Sequence, residues 1–185
     1  MNAYDFDKTI FDGDSTAKFY LFCLLRTPKM FLRIPRLVFE AAFVLKKDKQ
    51  RFKENMFAFL TDLKDPEGML KKFWDKNEGS IKQFYLNGKR EDDLIASASP
   101  EFLLKPILTK LGIKRLIASP VDFKTGKYFG PNCHGQEKVV RFYREFPGET
   151  IENFYSDSHS DDPMAGIARK AYMVKGEKVF GWPEK

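Results

Sequence analysis

Cysteine and histidine are scarce: Cys23, Cys133, His134 and His159 are the full complement in 185 residues. Two cysteines make no disulfide framework, so a reducing compartment is the default setting. Two histidines beside them leave no ligand spacing for zinc. Long apolar runs are lacking too. The best candidate, residues 19–45, is interrupted by Arg26, Pro28, Lys29, Arg33, Pro35, Arg36 and Glu40, which excludes a bilayer span. The first ten residues carry acids where a secretory leader needs a basic start and an apolar core. A cytoplasmic location is therefore the expectation. No internal repeat or low-complexity tract is visible.

What is present reads as a folded globular chain, with 43% hydrophobic and 31% charged residues. The length suffices for one core, or a core with a smaller insert. Nineteen phenylalanines require a sizeable aromatic core or an apolar surface. A net charge of +6 favours anionic partners, among them phosphate esters, nucleic acid and anionic lipid, without choosing between them. Residues 19–45 read first as a helical core. The alternative is an interfacial helix lying on a bilayer, because apolar and basic residues are mixed there.

Along the chain, residues 2–6 suggest a short strand, and Asp14-Ser15-Thr16 offers caps for a helix over 18–25. The pattern stays helical to about residue 90. Phe52, Met56, Phe59, Leu60 and Leu63 fall on one face of a predicted helix over 51–63. Asp65-Pro66-Glu67 opens another helix, and Asn87-Gly88 closes the helical region. From Asp93 onward strands and helices alternate. Leu94-Ile95-Ala96 predicts a strand, Ser99 an N-cap, residues 103–111 a helix and Gly112 its C-cap. Further strands are expected at 115–118, 150–156 and 171–174, a hairpin over 121–130, helices over 136–146 and from Pro163 to near Lys170, and an extended stretch at 179–182. This alternation predicts an α/β domain with a mostly parallel sheet, whose ligands bind beyond the carboxyl ends of the strands.

The chemistry-bearing residues converge on those ends. Asp5 and Asp7, two apart in a strand, would project from one face, and two close carboxylates need a cation or a shared proton. Alone, such a pair reads as an acidic turn. Ser97 ends the second predicted strand; its hydroxyl and the following helix start suit a phosphate, whereas Ser99 is expected to cap. Lys138 falls in the first turn of its helix, where the macrodipole disfavours a cation; a solvated lysine is the plain alternative. The run 157–162 is rich in oxygen ligands. A calcium loop is excluded because Asp162 and Ala168 stand where Gly and Glu are needed. Magnesium, which takes few carboxylates plus water and phosphate oxygen, fits better. Helix capping by Asp161 or Asp162 is the alternative.

Asp5-Phe6-Asp7-Lys8-Thr9 resembles the Asp-x-Asp-x-Thr signature of the haloacid dehalogenase superfamily, and Ser97, Lys138, and Asp157 with Asp161 resemble its later motifs in order. The resemblance covers about residues 5 to 170 and is closest to the phosphoserine phosphatase-like branch. It implies a Rossmann-like α/β core of residues 1–13 and 88–185, with a helical type 1 cap, residues 14–87, inserted after the first strand. It implies a phosphatase with Asp5 as nucleophile and Asp7 as general acid and base. Mg2+ would be held by Asp5, the Asp7 main-chain carbonyl and Asp157, with Asp161 acting through water or on Lys138. Ser97, Ala98 and Lys138 would bind phosphate oxygens. Asp7-Lys8-Thr9 also resembles the Asp-Lys-Thr of cation pumps, but a chain without spanning segments cannot pump, and an acid two residues after Asp5 is the phosphatase arrangement.

The branch's phosphoserine enzymes carry Glu nine residues after the nucleophile, where this chain has Asp14, and a cap arginine where residues 52–59 offer apolar side chains. These departures put phosphoserine in question. The expected substrate is a phosphate monoester: a small phosphorylated metabolite, phosphoserine-like, or a lipid head-group phosphate, since phosphatidylglycerophosphate phosphatases resemble this branch too. Nucleic acid is not an expected partner of such an enzyme, and peripheral membrane contact is compatible with it. The alternative from another class is a basic lipid- or nucleic-acid-binding module with a vestigial site, suggested by the net charge and the basic cluster at 46–53.

Overall fold

The computed structural model describes residues 1–43 and 49–183. Among these, six strands form a single sheet: β1 (Asn2–Tyr4), β2 (Leu94–Pro100), β3 (Arg115–Ser119), β4 (Asn153–Ser156), β5 (Lys170–Lys175) and β6 (Lys178–Gly181). Their spatial order is β3-β2-β1-β4-β5-β6, and every neighbouring pair is parallel except β5 with β6. Ala3 lies opposite Leu94 on one side and Phe154 on the other, so β1 is buried on both faces. The order reverses at β1, and that reversal opens a crevice at the carboxyl ends of β1 and β4.

Two strand ends differ from the expectation, and both bear on the crevice. β1 stops at Tyr4, where a strand to Phe6 was predicted, because the Ile10 and Phe11 N–H groups both donate to the Phe6 carbonyl, at 3.0 and 2.9 Å. Asp7 therefore sits in a turn. β2 continues to Pro100 because Pro100 pairs with Ser119 of β3, after a register shift beyond Ala96. Ser99 is thus a strand residue and not an N-cap; Pro100 occupies the cap position with no side-chain bond. The predicted hairpin over 121–130 reduces to one bridge, Val121 to Tyr128, around a tight turn.

Between β1 and β2 run α1 (Ser15–Leu24), α2 (Ile34–Phe43), α3 (Lys49–Phe57), α4 (Pro66–Asn77) and α5 (Gln83–Gly88). Asp14 and Asp65 cap α1 and α4 by accepting from the Ala17 and Gly68 N–H groups. The helix predicted over 51–63 divides into α3 and a 3-10 turn, Ala58–Asp62. Phenylalanines account for much of the core here: Phe6, Phe11, Phe19, Phe59 and Phe73 are fully buried, mostly edge-on to one another or to Trp74, whose indole N–H donates to the Leu103 carbonyl at 2.7 Å. Residues 44 and 45 lie outside the described residues; over 19–41 the helical-core reading holds for one side only. Phe19, Phe22, Cys23 and Met30 are buried, but Leu21, Leu25, Phe31, Leu32, Val38 and Phe39 are exposed.

After β2 come α6 (Glu101–Leu111), α7 (Gln136–Glu145) and α8 (Asp162–Ile167). α6 ends at Gly112, whose φ of 77° makes the expected left-handed cap. α7 and α8 cover the opposite face of the sheet with Val139, Phe142 and Met164. The turn at Gly126 lies hard against the insert: with φ at 76°, an added Cβ would fall 2.4 Å from the Phe57 carbonyl oxygen. Only glycine allows that approach, which seats the turn on the end of α3.

Asp93, just before β2, is fully buried, and one carboxylate oxygen accepts from the Arg90 N–H at 2.8 Å. Burial pushes it up to about 6. Between its ordinary value of 3.8 and about 6, the folded state binds more protons than the unfolded one, so this group's contribution to stability is lost as pH rises through that window. Asp93→Asn keeps an acceptor for Arg90. Urea unfolding is expected to show the variant more stable than the wild type by about 1–3 kcal/mol at pH 8, with the difference vanishing near pH 4.

Candidate active site

Where the chain leaves β1, the Asp5 N–H donates to the Tyr155 carbonyl of β4 at 2.9 Å. That bond fixes Asp5 at the reversal point, on the floor of a cleft of about 450 Å³. Lys138 is 2% exposed and its ammonium donates to Asp5 Oδ1 and Asp161 Oδ2, both at 2.8 Å. Ser156, the last residue of β4, donates to the same Asp161 oxygen at 2.8 Å. Lys138 does lie in the first turn of α7, against the macrodipole. Burial also opposes its charge, yet Asp5 and Asp161 more than offset both, and the ammonium is held above its ordinary range. Asp5 moves upward: burial is the main cause, and one ammonium cannot compensate two carboxylates.

Asp7 has a separate environment. Its Oδ1 accepts from the Ser15 N–H at the start of α1, at 2.7 Å, and its Oδ2 accepts from the Ser99 hydroxyl. Thr16 Oγ1 lies 2.9 Å from that hydroxyl. Burial, and then the nearby Asp14 charge, push Asp7 above the usual carboxylate range, while Ser15 and Ser99 pull it down. The two aspartates are therefore not paired on one strand face as the spacing predicted. The turn separates them.

The turn is strained and held. Lys8 has φ of 58°, rare for a residue with a side chain. Its N–H donates to the Gly13 carbonyl at 2.9 Å, and its carbonyl accepts from the buried Lys82 ammonium. Thr9, fully buried, accepts from the Asp157 N–H at 3.0 Å and so ties this turn to the loop after β4.

The remaining predicted residues reach the same cleft: Ser97, Ala98, Asp157, Asp161 and Asp14 all line it. Ser97 Oγ accepts from the Ser99 N–H at 3.1 Å, which leaves its own O–H to donate. Burial shifts Asp157 upward. Neither Asp161 nor Asp162 makes a side-chain helix cap: Asp161 holds Lys138, and Asp162 accepts from the Trp182 indole at 3.1 Å. Asp14 is the α1 cap as well as a cleft residue. Three contributors were not singled out from sequence. Ser99 looked like a cap, Thr9 belonged to the signature without a task, and Lys53 counted only as one member of the basic cluster at 46–53, in a stretch otherwise read as apolar. Lys53 follows Phe52 on α3; both line the cleft with Met56, and the Lys53 ammonium lies 3.1 Å from Asn132 Oδ1 and 3.4 Å from the Ala98 carbonyl. The four-residue step from Phe52 to Met56, with a cation beside it, was the available signal. Of the basic cluster at 46–53, Lys46 and Lys47 lie outside the described residues.

The oxygen donors suit a hard cation. Asp5, Asp7 and Asp157 are all pushed upward by burial, and Lys138 is the cation buried among them. Among the described residues no group of three or more His, Cys, Asp or Glu side chains has metal-holding geometry. The expected set asks for only two carboxylates and one main-chain carbonyl, the kind of incomplete oxygen shell that magnesium completes with water and phosphate.

Residues 3–166 match the family of haloacid dehalogenase-like hydrolases, and the chain belongs to that family. Over 106 residues it is 31% identical to the "probable phosphatase Rv3661" of Mycobacterium tuberculosis strain H37Rv, covering 50% of this chain and 37% of that protein. The chain thus spans little more than a third of the length of the curated relatives it matches. A Bordetella pertussis protein of unknown function shares the fold at a TM-score of 0.72 and 20% identity, over 92% of this chain and 87% of that one. A probable phosphoserine phosphatase from Vibrio cholerae shares it at a TM-score of 0.62 and 15% identity, over 92% and 55%.

Because the Ser99 hydroxyl favours the ionised form of Asp7, Ser99→Ala is expected to raise the Asp7 titration midpoint further. Carbon-13 NMR of the labelled carboxyl reads this directly. An unchanged midpoint would mean that the Ser99 hydroxyl has no part in setting the Asp7 charge.

Proposed function

We propose that the chain is a magnesium-dependent phosphomonoester hydrolase acting in the cytoplasm through an aspartyl phosphate on Asp5. The observation that carries this reading is the division of labour between two carboxylates. Asp5 is set against the buried Lys138 ammonium at 2.8 Å, and Asp7 is held apart by Ser15 and Ser99 with its proton affinity raised. Burial raises the proton affinity of both; the Lys138 ammonium stabilises the Asp5 carboxylate that must attack, and a raised Asp7 suits a general acid that must start protonated.

The Ser97 hydroxyl, the main chain at Ala98 and the Lys138 ammonium would hold the non-bridging phosphate oxygens. Asp5 attacks phosphorus in line, the bond to the ester oxygen breaks, and that oxygen takes the Asp7 proton. In the second half, Asp7 accepts a proton from water as the water oxygen attacks phosphorus, which releases inorganic phosphate and restores Asp5. Asp161 positions Lys138. Asp5, the Asp7 carbonyl and Asp157 would hold magnesium, which neutralises phosphate charge when bound.

Residues 14–87 would serve as the cap over a core of residues 1–13 and 88–185. The α3 side of that cap brings Phe52, Lys53 and Met56 to the cleft, apolar with one cation, which suits a leaving group larger and greasier than serine. Asp14 would face that group. The name of the M. tuberculosis relative supports the phosphatase class, and no expected catalytic position is lost, which ranks the enzyme above a binding module with a vestigial site.

Purified protein is expected to hydrolyse an aryl phosphate with magnesium and to stop with chelator. Asp5→Asn should lower kcat at least about a thousandfold, or ~4 kcal/mol of barrier. Robust turnover by that variant would contradict the mechanism.

A further inference from the structure

The exposed side of the first helices has no place in this chemistry. Leu21, Leu25, Phe31, Leu32, Val38 and Phe39 are exposed within 19 residues of chain, Leu32 to 83% and Leu25 to 68%. They lie on α1 and its C-cap residue, the 3-10 turn Pro28–Arg33 and α2, which pack in succession. Leu21 and Leu25 stand four apart; Leu32, Pro35 and Phe39 follow steps of three and four, the spacing of one helical side. The charge on this stretch has one sign. Residues 15–39 contain Lys18, Arg26, Lys29, Arg33 and Arg36 and no Asp or Glu. Arg33 pairs with Asp62 and Arg36 with Glu40, while Arg26 and Lys29 are solvent-exposed among the apolar groups.

We infer that this face docks on the surface of an anionic lipid bilayer. Leucine and phenylalanine side chains would enter the boundary between head groups and acyl chains, and the cations would meet lipid phosphate. Among the described residues no helix is long and apolar enough to cross a membrane, so the contact lies in the plane of the surface. A two-fold dimer through this face is disfavoured because it would set the same cations against each other. Nucleic acid would account for the cations but not for exposed leucines. α3 packs on α2 and carries Phe52, Lys53 and Met56 into the cleft, so docking would bring the cleft close to the bilayer. That last consequence rests on the proposed hydrolase; the docking itself does not.

The test is co-sedimentation of the full chain with phosphatidylcholine vesicles, with or without phosphatidylglycerol. Partitioning is expected to be at least about tenfold stronger with phosphatidylglycerol, to weaken with salt, and to fall at least about tenfold in the double variant Leu32→Glu, Phe39→Glu. The milder pair Leu32→Ser, Phe39→Ser should give a smaller loss. Thermal melting and aryl phosphate turnover should match the wild type in both. Equal binding to both vesicle types, or binding unchanged in the variants, would overturn the inference. So would a wild-type dimer that the variants render monomeric, or RNA retention that they abolish. These vesicles hold no phosphomonoester and binding can be scored in Asp5→Asn, so docking and turnover fail separately.

Discussion

Lys138 brings a positive charge to the floor of the cleft, and the surrounding fold is arranged around keeping it there. An unpaired ammonium at such a site would lose its proton or draw in water. Asp5 and Asp161, each 2.8 Å away, prevent this, and they come from the ends of β1 and from the loop after β4. The contact therefore requires those strands to be neighbours, which the Tyr155 to Asp5 main-chain bond and the Thr9 to Asp157 bond enforce. Two carboxylates to one ammonium leave an excess of negative charge. Buried ion sets of this kind add little to stability by themselves. Their value here is a carboxylate poised on an anionic, oxygen-lined floor that a divalent cation and a phosphate group would complete.

The strained turn at Lys8 serves the same end. Had the strand continued to Phe6 and beyond, Asp5 and Asp7 would have shared one face and one electrostatic environment. The turn sends Asp7 to the start of α1 and to Ser99, so the two acids differ in their hydrogen-bond partners and nearby charges. A single helical insert then contributes both the α1 end that grips Asp7 and the α3 side chains that wall the cleft. The Gly126 turn seats that insert on the core.

Much of this was legible because it rests on local rules. The alternation after Asp93 predicted the parallel sheet, and Asp14, Asp65 and Gly112 marked helix ends where they occur. The position of Asp5, Asp7, Ser97, Asp157 and Asp161 at predicted strand ends pointed to one crevice, and all five line the cleft. What was not legible depends on contacts between distant segments. Ser99 has the local sequence of a cap, and only pairing of Pro100 with Ser119 keeps it in the strand. Lys53 looks like one more surface lysine until α3 is placed over Ala98 and Asn132. Residues 19–45 have core-like composition, and it takes the packing of α1 and α2 to show that six large apolar side chains between residues 21 and 39 face outward.

In the proposed hydrolysis Asp5, and not Asp7, carries the phosphoryl group. Acid quenching during turnover of an aryl phosphate, followed by borohydride reduction and peptide mass spectrometry, converts a phosphorylated aspartate to homoserine and so reports its position. Homoserine at position 5 alone is the expected result. Homoserine at position 7, or continued turnover with no trapped aspartyl phosphate, would contradict it.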